Sequence, residues 1–447
     1  MSLLCPIDFR YGRPEMKGIF GEGARLQRLL DVEAALARAE AKVGTIPAKA
    51  AQTISAKANT NDVTVNRVME LEKQTRHDIM AVVLALSEAC DKDAARYVHL
   101  GATSNDISDT ATALQLRDAI RVLTDDLKEL RGILVSLAKK HRKTVILGRT
   151  HGQAAVPMTF GLKMAVFATE TDRHLERLRE IEKRVVVGKV NGAVGTGAAL
   201  GDKALEIQKI VMEDLGIQPE EASTQIVGRD RYAEFIMVLA NIAGSLDKFC
   251  TEVRNLQRTE IGEVAEAFEE RQVGSSTMAQ KENPVISENV CSLARVVRGF
   301  VIPALENVPL WHERDLTNSA AERIILPHAC VLVDDMLAKT ADVFRNLRVY
   351  PNRMRANLEA TKGQAMAESV MIALVGKGMG RQDAHRLVQQ AAMRAREKAV
   401  HLREILAADA TVTKVLKGKD LDAALDPDRY LGQSVEIVDG VVARLRA

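Results

Sequence analysis

The stretch VGSSTMAQKENPVISEN, residues 273–289, brings together side chains that could act on an anionic group. Ser275 and Ser276 follow a glycine, which gives the backbone freedom to turn its N–H groups toward an anion. Lys281 supplies a positive charge, and Asn283 supplies an amide that both donates and accepts hydrogen bonds. The stretch therefore predicts an anion-binding loop at the start of a helix, with a purely structural loop as the alternative.

Histidines in turn-like surroundings form the second set of candidates. His151 lies in GRTHGQAAVP, residues 148–157, between Thr150 and a glycine, and we expect it just ahead of a helix. A histidine in such a place can act as a general acid or base, because its pKa lies near neutral pH. His77 and His99 have similar surroundings. For each histidine taken alone, an ordinary structural role is the alternative.

The third candidate segment is WHERDLTNSAAER, residues 311–323. It carries Arg314 and Arg323, with Ser319 between them. Guanidinium groups bind carboxylates and phosphates through paired hydrogen bonds, and a hydroxyl can add another. The segment therefore predicts binding of a carboxylate or a phosphate, with a solvated helix face as the alternative.

Long helices must position these segments. Apolar residues recur every three or four positions over residues 116–137, and similar stripes cover residues 164–185 and 232–256. This spacing is typical of helices that pack along a seam. Each stripe is far longer than an average globular helix of about 12 residues. Strand signals are scarce, so the sequence predicts an all-α fold built around a bundle of long helices.

Breaks in the helical pattern divide the chain into three predicted domains. One break is HLGATSNDISDT, residues 99–110, and another is the proline-containing NLRVYPNRMR, residues 346–355. We therefore predict an N-terminal helical domain over residues 1–107, a central long-helix bundle over 108–350 and a C-terminal helical domain over 351–447. The central bundle contains the 273–289 stretch.

Composition excludes several classes of function. The net charge is +2, from 62 basic and 60 acidic residues, so there is no electrostatic basis for general nucleic-acid binding. The five cysteines form no C-x-x-C pair, which favours free thiols in a reducing compartment. We find neither a signal-peptide pattern nor an apolar run long enough to span a membrane, and we expect a cytoplasmic protein. Motifs for nucleotide cofactors and zinc are missing, so no cofactor or metal is expected.

Taken together, these segments resemble the adenylosuccinate lyase family of the fumarase/aspartase superfamily. GSSTMAQKENP is similar to the signature loop of the superfamily, commonly G-S-S-x-M-P-x-K-x-N-P. Family-like segments extend over nearly the whole chain. They are RYGRPEM (10–16), HDIMAVV (77–83), HLGATSNDISDT, GRTHGQ, GAVGT (192–196), TQIVGRDRY (224–232), LQRTEI (256–261), WHERDLTNS and KGMGRQDAH (377–385). The RYGRPEM and WHERD segments distinguish this family from argininosuccinate lyases and fumarases.

The resemblance implies β-elimination of fumarate without a cofactor. The expected substrates are adenylosuccinate, which would give AMP, and the succinylcarboxamide imidazole ribotide SAICAR, which would give AICAR in purine nucleotide biosynthesis. The resemblance also implies a homotetramer in which each active site forms where three subunits meet. One alternative is a sister lyase of the superfamily that acts on a different N-succinyl or dicarboxylate substrate. Another is a non-catalytic homologue that kept only the helical bundle.

The resemblance further implies roles for individual residues. Ser275 would be the base, with its alkoxide stabilised by Lys281. His151 would be the general acid, with His77 beside it and Glu288 orienting it. Twelve residues would bind the substrate, several of them at the nucleotide phosphate: Arg10, Tyr11, His99, Thr103, Ser104, Asn105, Thr150, Gln225, Asn283, Arg314, Ser319 and Arg323.

Five positions depart from the family pattern. In the signature loop, Ala279 replaces a proline, Gln280 replaces a histidine, and Glu282 stands where arginine is frequent. Elsewhere, Gly228 replaces a glutamine, and Ala320 replaces a serine. We expect these changes to affect the rate and the substrate preference rather than the type of reaction.

Overall fold

Helices dominate the fold, which a computed structural model describes over residues 5–268, 277–278 and 280–446. In that part of the chain the strands are short, and four of the six described strands have only two residues each. The all-α prediction is therefore confirmed.

The α-helices follow one another through most of the chain. They are α1 (Pro6–Phe9), α2 (Pro14–Phe20), α3 (Glu22–Lys42), α4 (Ala48–Lys57), α5 (Val65–Thr75), α6 (Asp78–Ala89), α7 (Lys92–Ala95), α8 (Ser104–Lys140), α9 (Phe160–Val185), α10 (Ala204–Leu215), α11 (Asp230–Gln257), α12 (Val285–Gly299), α13 (Val301–Glu306), α14 (Ser319–Arg345), α15 (Pro351–Glu359), α16 (Ala367–Gly376), α17 (Arg381–Glu397), α18 (Leu402–Ala407), α19 (Ala410–Val415), α20 (Gly418–Ala424) and α21 (Ser434–Arg446). Short 3-10 turns cover Ala198–Lys203, Gln364–Met366 and Pro427–Arg429.

The predicted long stripes coincide with α8, α9 and α11. Helix α8 has 37 residues, which corresponds to a length of roughly 55 Å. Its seam residues from Leu116 to Leu134 are buried, as the spacing predicts, whereas Leu137 at the end of the seam is only half-buried. The seam therefore contributes apolar surface to the core over most of its length.

A fourth long helix, α14, was not predicted from the sequence. It has 27 residues and contains Pro327 in its interior. Proline removes one backbone hydrogen bond and usually ends or kinks a helix, so its presence argues locally against a long helix. Buried residues on the following turns, including Ala329, Leu332, Val333 and Met336, show that packing stabilises the helix beyond the proline.

The segment that carries His151 is a β-hairpin, which corrects the expectation that this residue lies just ahead of a helix. Strands β1 (Val145–Thr150) and β2 (Gln153–Thr159) pair antiparallel, and Thr150 faces Gln153 across the turn. The turn consists of His151 and Gly152, which both have positive φ, at 54° and 72°. Two residues with positive φ form the turn type that matches the twist of hairpin strands. Helix α9 begins only at Phe160.

The remaining strands form two short pairs. Strand β3 (Val187–Gly188) pairs in parallel with β4 (Gln218–Pro219). Strand β5 (Val264–Ala265) pairs antiparallel with β6 (Arg348–Val349).

The chain forms two compact units, each assembled from three segments. The first unit comprises Met1–Leu127, His174–Leu246 and Ser292–Ala338. The second comprises Lys128–Arg173, Asp247–Cys291 and Lys339–Ala447, and a separate apolar cluster within it joins helices α16 to α20. The three-domain division at residues 107 and 350 remains a prediction. Among the described helices, none is long and apolar enough to cross a membrane.

Candidate active site

A cavity of about 490 Å³ in the first unit is the candidate active site. Its walls come from α3, the junction of α5 and α6, the first turns of α8, and the start of α14. The cavity therefore unites three candidate segments that are far apart in the sequence. The predicted site residues that line it are His77, Ser104, Asn105, Arg314, Ser319 and Arg323.

His77 is the N-cap of α6, and this role selects its tautomer. Its Nδ1 accepts a hydrogen bond from the backbone N–H of Met80 at 3.3 Å. An accepting Nδ1 carries no proton, so the neutral ring holds its proton on Nε2. Nε2 lies 3.4 Å from Oγ of Ser104, the first residue of α8. The imidazole is thus arranged to donate a proton from the nitrogen beside Ser104.

Arg323 is held at the cavity by an ion pair with Asp78. Its Nη2 donates to Asp78 Oδ2 at 2.6 Å, and Arg25 lies 3.5 Å from the same oxygen. Burial acts to raise the pKa of Asp78, but the two arginines and a backbone N–H outweigh it and hold the pKa below its ordinary value. One carboxylate therefore holds two guanidinium groups at the cavity wall, where each can also donate hydrogen bonds to an anionic ligand.

Arg314 reaches two further predicted residues. Its Nη1 donates to Gln225 Oε1 at 2.9 Å. With the Asn105 amide turned so that its hydrogen bonds are satisfied, the amide oxygen accepts from the same guanidinium at 2.9 Å. Gln225 thus contacts the cavity wall through Arg314, and the contacts orient the guanidinium from two sides.

Beneath these residues lies a buried charge network that sequence reasoning missed. Arg229 donates to Asp109 at 2.7 and 2.9 Å, and its Nε donates to Glu322 at 2.9 Å. Burial raises the pKa of Glu322 against the opposing effect of Arg229. Asn318 donates to Glu322 as well, at 2.9 Å. The network joins α8, α14 and the segment before α11, so it sets the spacing of the elements that carry the candidate residues.

Besides Gln225, four predicted residues of the first unit do not line the cavity. Arg10 is exposed and Tyr11 half-buried in the turn after α1. His99 has a left-handed backbone, φ 63°, and its ring contacts the buried Glu33. The backbone N–H of Thr103 donates to Asp106 at 2.8 Å.

The remaining described candidates belong to the second unit. Thr150 and His151 are exposed at the tip of the β1–β2 hairpin. Arg149 anchors that hairpin, because its guanidinium donates to both oxygens of the fully buried Glu263 at 2.9 and 2.8 Å.

The end of the signature segment also lies in the second unit. Lys281 and Glu288 are exposed, and Asn283 is half-buried just ahead of α12. Glu266 accepts from the backbone N–H groups of Ile286 and Ser287 at 3.2 and 2.7 Å, which satisfies the first turn of that helix. The helix start predicted after the loop is therefore present. The proposed base Ser275, together with Ser276, lies outside the described residues.

Comparison with known proteins identifies the family of the chain. Residues 8–299 match the lyase family, and residues 363–441 match the adenylosuccinate lyase C-terminus. The adenylosuccinate lyase of Pyrococcus abyssi is 54% identical over 437 residues, which cover 98% of this chain and 97% of the relative. The chain belongs to the adenylosuccinate lyase family. It is therefore a carbon–nitrogen lyase of the fumarase/aspartase superfamily.

Other relatives extend the comparison. The adenylosuccinate lyase of Methanocaldococcus jannaschii is 48% identical over 99% of this chain and 96% of its own. Among solved structures, the 3-carboxy-cis,cis-muconate lactonizing enzyme of Pseudomonas putida matches with a TM-score of 0.90 and 37% identity, over 99% of both chains. The adenylosuccinate lyase family thus shares its fold with an enzyme whose name denotes a different reaction.

The positions that depart from the adenylosuccinate lyase pattern differ in their surroundings. Glu282 forms an ion pair with Arg348 of the second unit, so its charge is compensated. Gly228 leaves room for Asp230, because a Cβ at that position would lie 2.5 Å from Asp230 Oδ1. Ala320 and Gln280 are exposed, and Ala279 lies outside the described residues.

Proposed function

We propose that the enzyme eliminates fumarate from adenylosuccinate, leaving AMP, and from SAICAR, leaving AICAR. Similarity to adenylosuccinate lyases over 98% of the chain is the observation that carries this proposal. The cavity supports it, because Arg314 and Arg323 line it together with the hydroxyl of Ser319 and the imidazole of His77. Such a set suits a ligand with phosphate and carboxylate groups.

In the proposed reaction, Ser275 removes the proton from the carbon next to a carboxylate of the succinyl group. The electron pair left behind forms the new carbon–carbon double bond, and the carbon–nitrogen bond breaks. His151 protonates the leaving nitrogen, and Glu288 orients His151. Lys281 stabilises the Ser275 alkoxide and, with Asn283, the charge that develops on the carboxylate. His77 assists from the cavity, where its Nε2 holds a proton.

The other proposed contacts bind the substrate. Arg10, Tyr11 and His99 act with Arg314, Ser319 and Arg323 at the phosphate. The hydroxyls and amides hold the remaining polar groups: Thr103, Ser104, Asn105, Thr150 and Gln225.

We further propose a cytoplasmic homotetramer with shared sites. Apolar side chains are exposed in the first unit on α12, α13 and the loop after them, among them Val296, Ile302, Leu305 and Trp311, the last 79% exposed. A group of this kind favours burial against another chain. The five cysteines are free thiols, which suits a reducing compartment.

The test is a spectrophotometric assay with purified protein. Adenylosuccinate is expected to lose absorbance as AMP forms, and fumarate should appear in equal amount by chromatography. SAICAR is tested in the same way. Cleavage of a different N-succinyl compound with no turnover of adenylosuccinate would favour a sister lyase instead.

A further inference from the structure

A buried carboxylate with no part in the proposed reaction contacts one of the substrate-binding candidates. Glu33 on α3 is 1% exposed, and its Oε1 lies 2.6 Å from Nδ1 of His99. This distance is typical of a charge-assisted hydrogen bond. We propose that Glu33 is a positioning residue that holds His99 as an imidazolium whose second N–H is available to the substrate phosphate. The inference rests on the proposed function, which assigns His99 to the phosphate.

The surroundings of Glu33 favour the protonated form of His99. Within the described part of the chain, His99 is the cation paired with Glu33, and Glu33 Oε2 has no hydrogen-bond partner. A buried carboxylate without a cation is strongly unfavourable, so the proton on the imidazole stabilises both groups. The contact with Glu33 therefore favours the imidazolium form of His99 in the folded protein.

Three carboxyl groups act on His99. Burial lowers the pKa of His99, but Glu33, Asp106 and Glu40 raise it, and the net shift is upward. Asp106 is already paired with the buried Lys189 and accepts from the N–H of Gly192 at 3.0 Å. Glu33 is the carboxylate in direct contact with the ring.

Glu40, on the same helix, can be compared with Glu33. It lies two turns further along α3 and is fully buried, and neither of its oxygens has a hydrogen-bond partner among the described residues. Burial and the neighbouring Glu33 raise the pKa of Glu40 to about 8. Glu40 is therefore mostly the neutral acid at pH 7, whereas Glu33 is the partner of a cation.

The backbone conformation restricts where the His99 ring can lie. His99 has φ 63°, and at Gly101, φ 71°, an added Cβ would lie 2.5 Å from Leu200 Cδ2. The N–H of Thr103 donates to Asp106, immediately before α8 begins at Ser104. With the loop held in this way, the Glu33 contact decides which ring nitrogen faces α3 and leaves Nε2 for a ligand.

The test compares Glu33→Gln with Glu40→Gln in the full-length protein. Glutamine has the shape of glutamate, and circular dichroism and thermal melting confirm folding of each variant. AMP binding is measured by titration calorimetry between pH 6 and pH 8. For Glu33→Gln, the dissociation constant relative to wild type is expected to rise about tenfold over this range, because His99 then loses its proton. Dividing the dissociation constant of the variant by that of wild type at each pH cancels the effect of phosphate ionisation, which is the same for both proteins.

Two controls and one rescue variant make the outcome specific. Glu40→Gln is expected to change the ratio far less than Glu33→Gln, because Glu40 does not contact the His99 ring and has the smallest effect on it. Fumarate binding to Glu33→Gln should keep a constant ratio, since fumarate has no phosphate. Glu33→Asp should restore much of the lost pH independence. A flat ratio in Glu33→Gln, or an equal loss for AMP and fumarate, would overturn the inference. If wild type fails to cleave adenylosuccinate, the proposed function fails as well; if only the ratio is flat, this inference fails alone.

Discussion

At the scale of single residues, the two loop serines allow a direct test of the base. Ser275→Ala is expected to lower kcat by several orders of magnitude while the substrate still binds, because the hydroxyl acts chiefly in the transition state. Ser276→Ala is the matched control, since it alters the same loop and should keep most of the activity. Steady-state kinetics and substrate binding are measured for both. The opposite pattern would move the base by one residue, and two active variants would direct attention to His77 and His151.

Glu40 makes a separate prediction about stability. Its pKa is about 8 in the folded protein, against an ordinary value of 4.5, so the folded state binds an extra proton between these pH values. Stability contributed by the neutral acid is therefore complete below pH 4.5 and is lost as the pH rises toward 8. Glu40→Gln cannot ionise, so between pH 5 and pH 8 its free energy of unfolding should rise by about 3 kcal/mol relative to that of wild type.

Urea unfolding at one fixed protein concentration measures this difference. Glu176→Gln, an exposed change on α9, is the control and should follow wild type at every pH. A difference between Glu40→Gln and wild type that stays constant with pH would contradict the assigned proton.

At the scale of elements, α14 connects the cavity with the N-terminal segment. Its first turns carry Ser319 and Arg323, and Asp334 further along the helix binds Arg13 through two hydrogen bonds from Nε, both at 3.1 Å. Arg13 also donates to Asp126 of α8 at 2.5 Å. One residue earlier, Gly12 lies so close to α14 that a Cβ would be 2.2 Å from Val331 Cγ1. The helix therefore sets where the chain before Arg13 can lie.

This anchoring predicts a binding defect for Arg13→Lys. The charge is kept but the paired hydrogen bonds are lost, so Arg10 and Tyr11 should be less well placed, and KM should rise about tenfold with little change in kcat. Arg28→Lys is the control, because Arg28 is similarly exposed and joins α3 to Asp118 of α8 at 2.7 Å. In an Arg10→Ala background, Arg13→Lys should add little. An independent, additive effect would mean that Arg13 does not act through Arg10.

At the scale of the whole molecule, the proposed shared sites predict complementation. His151→Ala and Ser275→Ala are each expected to be inactive as purified proteins. If the two residues of one site come from different subunits, mixed tetramers contain some sites with neither defect, and activity should partly return. Light scattering follows assembly, and subunit exchange is verified with a tagged variant. Mixing two preparations of the same variant is the control. Verified exchange without recovery would contradict shared sites, and a stable monomer would contradict the tetramer.

The sequence by itself determined the helical class and the family. Helical periodicity is a local property, because residues three or four positions apart share a face, so the buried seam from Leu116 to Leu134 was predictable. The segments WHERDLTNSAAER and HDIMAVV likewise identified Arg314, Ser319, Arg323 and His77, all of which line one cavity.

Only the tertiary structure decided which groups meet. Asp109, Arg229 and Glu322 are far apart along the chain, and so are Glu33 and His99, yet each set is in direct hydrogen-bonded contact. No local spacing encodes such pairs, because they depend on the path of the chain between them. The same holds for α14, whose tertiary packing outweighs the local effect of Pro327. The hairpin at His151 likewise depends on cross-strand pairing, which a helix-oriented interpretation of the sequence overlooked.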